Sequence, residues 1–451
     1  MKSITLLPLV ASATAFVVPD AQVFAQLPVH QEQPKEDLTW LDWLSSPDSI
    51  SKSAHDLVDT FSTGFEDVVQ DIKGKFETEL DSIFDDDEDF GVDAIDRPHH
   101  GHKTSDLTIY QLISKSKYTT KFAELVDEYD DIVQLLNSTK ANYTLFVPVD
   151  SAFEHIPEDK KPSKEFIESV LKYHIGLGLY PAGRVLVTHT LPTALDEPLL
   201  GDKPQRLRTS VGLLSGVRVN FYSKVVAVDI GANNGVIHAV KSILVPPPFV
   251  GRELTLFPSK FSTLLLAYEK TNFTEFIHGV KMVGSTVFAP DNAAFAKLGP
   301  AANAFLFNTE KGLGYLKAIL KYHIVPNEVV YSDAYYSESD AEARDDVGRG
   351  HYHLDVPTLL GDKNIAIDVA RWGGIIRVKL NGYISIKIQD AIAKNGVIHL
   401  PSSVLIPPHK HDKKNSENFG EDISVEELME RLEDYVEPTK NDKTLSIEIE
   451  L

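Results

Sequence analysis

Histidine has the widest chemical scope in this sequence, because its ring titrates near neutrality and, when neutral, ligates transition metals. Four of the sixteen histidines recur in register along the chain: His174 and His238, then His323 and His399. Each pair is split by 64 or 76 residues, so no fixed local spacing builds a catalytic or metal motif. Catalysis would require the rings to converge with acids or a nucleophile. The simpler expectation is structural, with His238 and His399 hydrogen-bonded within strands while Tyr173-His174 and Tyr322-His323 cap a buried helix end. The groups His99-His100-x-His102, His351-x-His353 and His409-x-His411 have a spacing that a transition metal tolerates, yet they read as solvated loop histidines. The acid run Asp85–Asp89 lacks the alternating ligands and turn glycine of a calcium loop. No P-loop, Gly-x-Ser-x-Gly, His-Glu-x-x-His or Gly-x-Gly-x-x-Gly occurs, and the absence of cysteine excludes thiolate sites, Cys nucleophiles and disulfides. No catalytic residue, cofactor or metal is expected.

The elements that position these histidines emerge when the chain is compared with itself. Asn234-Gly-Val-Ile-His238 recurs as Asn395-Gly-Val-Ile-His399, and each is followed by what reads as an apolar strand ending in proline, Ile243–Pro247 and Val404–Pro408. Leu199-Leu-Gly-Asp202 matches Leu359-Leu-Gly-Asp362, Lys172–Ile175 matches Lys321–Ile324, and Thr144–Pro148 matches Thr286–Pro290. The offsets grow from 142 through 149 and 160 to 161, so the second copy carries insertions between motifs. Leu145–Val147 and Val287–Ala289 read as strands closed by proline, which cannot donate to a sheet ladder. Asp150 and Asn292 suit the N-caps of helices starting at Ala152-Phe153 and Ala294-Phe295. Asn-Gly at 234 and 395 favours a tight hairpin turn between two strands. Each copy thus reads as helices first and a β-rich half after.

This order of motifs resembles the fasciclin, or FAS1, domain. Its first box resembles Thr144–Phe153 and Thr286–Phe295, its Tyr-His element Tyr173-His174 and Tyr322-His323, and its second box Asn234–Pro247 and Asn395–Pro408. The resemblance implies an α+β fold, two tandem domains each a twisted β-wedge packed with helices, in secreted or cell-surface proteins of adhesion and of matrix or cell-wall organisation. It also implies partner binding around Tyr173, His174, Tyr322 and His323, since the Tyr-His region serves integrin binding in animal relatives. Only the dipeptide matches here, so the location carries over and the partner does not.

The remaining sequence gives an address and a charge pattern. Met1-Lys2 and an apolar run over 4–18 with small residues have the build of a signal peptide, too short to span a bilayer. Thr444–Leu451 alternates apolar and polar residues, which excludes a GPI signal. Asn137, Asn142 and Asn272 head Asn-x-Ser/Thr sequons and are candidate glycan sites. The net charge is −22, with −16 between residues 36 and 96 and −7 between 410 and 451, so the centre is close to neutral. Nucleic acid is excluded as a partner, because its phosphates require clustered Lys and Arg. Leu57, Phe61, Phe65, Val68, Ile72, Phe76, Leu80 and Ile83 trace one face of an amphipathic helix, a candidate peripheral membrane or helix contact over 52–84. Ser424–Glu427 forms a capping box before a second apolar stripe; a neighbouring domain, the other helix, a partner or a membrane are the candidate covers. The expected domains are a signal peptide at 1–25, an acidic extension and linker at 26–103, FAS1 domains at 104–249 and 250–409, and an acidic tail at 410–451. The function this implies is a non-enzymatic interaction protein, secreted to the matrix or cell wall, that binds a protein or polysaccharide; the alternatives are a vacuolar or secretory-lumen protein of fusion or trafficking assemblies, and a ligand-binding or hydrolytic module using the paired histidines.

Overall fold

The computed structural model describes residues 105–154, 162–212, 216–333, 335–337, 340–344, 350–372, 375–408 and 423–436, all within one unit spanning Thr39–Leu451. Three short helices open the first repeat: α1 Ile109–Lys115, α2 Thr120–Asp127 and α3 Asp130–Asn137. Thr108 and Gln111 form a reciprocal capping box at the start of α1. Ile109, Leu112 and Ile113, Phe122 and Val126, and Ile132 and Leu136 recur at three- and four-residue spacing, so each helix turns one apolar face inward.

The strand β1, Tyr143–Pro148, is followed by α4 Lys164–Tyr173, β2 Ile175–Leu177, α5 Ala182–Val185, β3 Thr190–Glu197, β4 Lys203–Gly212, β5 Gly216–Val219, β6 Ser223–Ala232 and β7 Gly235–Val240. These seven strands close a barrel in chain order, with β7 returning parallel to β1. Closure is thinnest at β2 and β3, which share the single pair Gly176 and Thr193. Leu145 and Val147 pack with the helices while Phe146 joins Tyr173, Leu191, Leu207 and Val240 inside the barrel. With both faces of β1 buried, its continuous apolar run is explained.

The second repeat begins with α6 Val250–Leu256, α7 Pro258–Lys270 and α8 Phe273–His278, then β8 Ser285–Phe288, α9 Asn292–Ala296, α10 Pro300–Asn308, α11 Glu310–Tyr322 and β9 Ile324–Pro326. It continues with β10 Tyr335–Ser337, β11 Asp340–Arg344, β12 Gly350–Pro357, β13 Asn364–Trp372, β14 Ile375–Leu380, β15 Ile384–Ala393 and β16 Gly396–Pro401. Its sheet runs β12-β13-β14-β15-β16-β8-β9, the order of the first barrel opened between β2 and β3. The hairpin β10–β11 falls where the repeat offset jumps from 149 to 160, and so accounts for the expected insertion. A last helix, α12 Val425–Leu432, buries Leu428 and Leu432 and contacts α10 and α11, so the second domain covers its stripe. Ser424 accepts from Glu427 N–H at 3.1 Å as the expected cap does, but the Glu427 carboxylate pairs with Arg431.

Two local expectations are corrected. Asp150 does not cap the helix that follows it; it accepts from Thr120 Oγ1 at 2.8 Å and Lys121 N–H at 2.9 Å, which ties down α2. Asn292 likewise reaches α7, accepting from Thr263 N–H and donating to Ser259 O, while Asp291 caps α9. The expected hairpins exist, but the turn residues are Asn233-Asn234 and Lys394-Asn395, and each glycine already lies in its outgoing strand. A Cβ at Gly235 would lie 2.0 Å from Tyr143 O, and one at Gly396 2.0 Å from Ser285 O. Glycine is therefore required by strand approach rather than by the turn. Asn234 is buried and accepts from Ile109 N–H at 2.8 Å while Asn395 accepts from Val250 N–H at 3.0 Å, so each box holds the first helix of its domain.

Candidate interaction site

The four repeated histidines sit in two equivalent pairs of settings. His174 is the C-cap of α4; its Nδ1 lies 2.7 Å from Val170 O and its Nε2 accepts from Leu244 N–H at 2.9 Å. His323 repeats this at the end of α11, with Ile319 O at 2.8 Å and Leu405 N–H at 2.9 Å. These partners assign the neutral ring with the proton on Nδ1, since a second proton would face a backbone N–H. Burial pulls both pKa values down to about 4, against a weaker opposing pull from the Val170 and Ile319 carbonyls. His238 accepts from Asp229 N–H at 3.3 Å through Nδ1 and donates to Tyr180 O at 2.8 Å through Nε2. His399 does the same with Asp390 N–H at 3.2 Å and Val330 O at 2.8 Å. Both ring nitrogens of every repeated histidine thus engage backbone, which leaves none to bind a metal or relay a proton. Among the described residues, no group of three His, Asp or Glu is placed to hold a metal ion.

The side chains brought forward for partner binding lie inside. Tyr173, His174 and Tyr322 are 0% exposed and His323 is 3% exposed. Tyr173 donates to Arg206 O at 3.0 Å and accepts from Asn220 at 2.9 Å; Tyr322 donates to Asn364 O at 3.1 Å and accepts from Asn381 at 3.0 Å. A partner meeting this region would touch what covers these residues. The sequon asparagines Asn137, Asn142 and Asn272 are all exposed. His351 and His353 lie on the exposed face of β12 and not in a loop, and Asp368 at 2.7 Å from His353 Nδ1 raises that ring's pKa. His99, His100, His102, His409, His411, Asp85–Asp89 and the stripe over 52–84 lie outside the described residues.

A second constellation, absent from the sequence reading, joins the two domains. Asp333 is buried, and its carboxylate accepts from His189 N–H at 2.9 Å, Thr190 N–H at 2.6 Å and the Thr190 hydroxyl at 2.6 Å. Burial raises the Asp333 pKa, with Arg206 opposing. Arg206 Nε donates to the Thr190 oxygen at 2.8 Å, and its guanidinium lies 5.0 Å from the Tyr331 ring centroid. Gln205 donates to Ala393 O at 3.2 Å and Arg208 to Gln389 O at 2.9 Å. On the far side Asp390 accepts from Ser332 N–H at 2.8 Å, and Arg371 donates to Ser332 O at 2.8 and 3.2 Å. The first repeat holds the same turn, Ala182 N–H donating to Asp229 at 2.7 Å. The next residue along is Gly183 there and Asp333 here. Equivalent backbone partners likewise match Arg206 to Asn364 and Arg208 to Ala366. The signal lay in positions where the copies disagree, whereas comparison of repeats attends to agreement.

The profile of the Fasciclin domain matches residues 117–246 and 259–407. Aurofusarin biosynthesis cluster protein S of Gibberella zeae is 27% identical over 364 residues, 75% of this chain and 89% of that protein. Human periostin is 24% identical over 317 residues, 68% of this chain but 32% of periostin. Rat stabilin-2 is 28% identical over 201 residues, 41% of this chain and 13% of stabilin-2. The chain therefore spans a third or less of these two animal proteins. A solved FAS1 domain pair from the insect cell adhesion molecule fasciclin I aligns with a TM-score of 0.32 at 17% identity, covering 63% of this chain and 96% of that one.

Proposed function

Because the chain belongs to the fasciclin domain family, we propose that it is a secreted, non-enzymatic interaction protein whose two FAS1 domains present a joined surface to a protein or polysaccharide of the matrix or cell wall. Fasciclin domains occur in adhesion and matrix proteins such as periostin, stabilin and ig-h3, which supports this reading. The observation that carries it is the contrast between the two polar constellations: the repeated histidines are consumed by backbone hydrogen bonds, while Asp333 and its partners lock one domain to the other. Such a molecule acts through contact area, and a specific contact buries on the order of 1,600 Å². The test is fractionation of cells producing the tagged full chain, followed by crosslinking mass spectrometry. Recovery from medium or wall with crosslinks from either domain to one neighbour is expected. Recovery from a vacuolar lumen, or turnover of a small molecule by the purified chain, would overturn it.

A second reading is favoured by one observation, the 89% coverage of the Gibberella protein. In it this chain works alongside biosynthetic enzymes, since that protein is named for a biosynthesis cluster. Co-purification of such enzymes with the tagged chain would support that reading over a wall or matrix neighbour.

A further inference from the structure

The turn joining β5 to β6 departs from its equivalent in the second domain. Between β14 and β15 the chain runs through Asn381-Gly382, with φ of 51° and 79°, and Tyr383 N–H returns to Leu380 O at 3.2 Å. This is a two-residue turn with both central residues left-handed, the setting that selects Asn-Gly. The first domain has Asn220-Phe221 instead, with φ of 49° and 66°, and Tyr222 N–H bonds to Asn220 O at 2.8 Å. That i to i+2 bond makes a γ-turn centred on Phe221. A γ-turn at positive φ is rare and strained, and a bulky side chain there increases the cost.

The asparagine has one task in both domains: Asn220 accepts from Arg208 N–H at 2.9 Å and Asn381 accepts from Ala366 N–H at 3.1 Å. The side chains above the turn differ, Phe221 for Gly382 and Arg208 for Ala366. These two meet, the Arg208 guanidinium carbon lying 3.9 Å from the Phe221 ring centroid. Arg208 Nε then crosses to Gln389 O of the second domain. The Phe221 residue remains 40% exposed, so burial of its ring does not account for the strained backbone.

We propose that Phe221 is a strained seat for Arg208, and that the pair forms a clamp fixing the second domain against the first. The turn places the ring beneath the guanidinium, which limits the rotamers of a long side chain and aims its Nε at the Gln389 carbonyl. This goes beyond the proposed function, since it concerns how the domains are held whatever they bind.

The test uses the full chain with Phe221→Gly, Arg208→Ala and the double substitution, followed by calorimetry and small-angle X-ray scattering. Glycine permits the turn found at Asn381-Gly382, so the first domain of Phe221→Gly should melt up to roughly 4 °C above that of the equally uncoupled Arg208→Ala. At the same time the gap between the two domains' transitions should widen and the radius of gyration should rise. Arg208→Ala should give the same uncoupling without the upward shift, and the double variant should uncouple no further than either single one. A first domain that melts lower after Phe221→Gly than after Arg208→Ala would assign the ring to ordinary packing and overturn the proposal. An unchanged radius of gyration, or uncoupling that adds in the double variant, would overturn it equally.

Discussion

At the scale of single residues, the buried histidines make stability depend on pH. His174 and His323 stay neutral in the folded chain down to about pH 4, whereas an unfolded histidine takes its proton near 6.5. Between those values the unfolded state binds more protons, so this contribution is fully present above 6.5 and is lost as pH falls to 4. Glu253 acts with the opposite sign. Burial raises its pKa to about 8, so in the folded chain it holds a proton that the unfolded carboxylate has released above about 4.5, and its contribution is lost as pH rises through 8. Comparing wild type with His174→Gln isolates the ring. The variant leaves Leu244 N–H or Val170 O short of a partner and should cost about 2–3 kcal/mol at pH 7. That gap should shrink as pH falls from 6.5 to 4, by an amount on the order of 3 kcal/mol at most. Urea unfolding at pH 7 and pH 4.5 measures both, and a gap that does not move with pH would contradict the assignment of a neutral ring.

At the scale of elements, the second box is a three-way joint of hairpin, first helix and parallel neighbour strand. Gly235→Ala would drive a Cβ to 2.0 Å from Tyr143 O, backbone against backbone, with no flexible atom to yield. It should cost about 3 kcal/mol or more, and Gly396→Ala should do the same in the second domain. Gly361 has φ of +71° but open space around its Cβ position. Its alanine variant should therefore cost only about 1–2 kcal/mol, the conformational term alone. Equal losses at the three sites, read from thermal unfolding, would remove the close-approach argument.

At the scale of the whole molecule, the junction decides whether the two domains behave as one body. Asp333→Ala strips two N–H groups and a hydroxyl of their acceptor and removes a buried carboxylate that interacts with Arg206. Breaking a buried charged network of this kind costs about 3–5 kcal/mol. The loss should widen the separation between the two domains' melting transitions in calorimetry, whereas Asp229→Ala, whose carboxylate holds the start of α5, should leave their coupling intact. A third measurement concerns the route the chain takes. If it passes through a glycosylating pathway, peptide N-glycosidase F should lower the mass of the secreted protein and convert Asn137, Asn142 and Asn272 to aspartate. An unchanged mass would count against secretion by that route.

Two tandem α+β domains were legible in the amino-acid order because their boxes recur, and a box recurs where backbone demands one residue type. Asn234 and Asn395 each hold a helix start, Gly235 and Gly396 each admit a neighbouring carbonyl, and His174 and His323 each tie a helix end to the apolar segment that closes the second box, at Leu244 and Leu405, which lie in extended chain outside any strand. The histidines' structural role was legible for the same reason. Local reading failed at Asp150 and Asn292, because a capping oxygen was assigned to the nearest helix when packing had brought a different one within reach. The junction was invisible for a deeper reason. Asp333 reaches residues more than 140 positions away, and Gln205 and Arg208 reach residues more than 180 away. Their equivalents in the other copy are different residues, so neither periodicity nor repetition marks them. Sequence alone determined what each domain is; the tertiary structure decided how the two are held, because only folding sets which distant, unrepeated polar groups must satisfy one another once water is excluded between them.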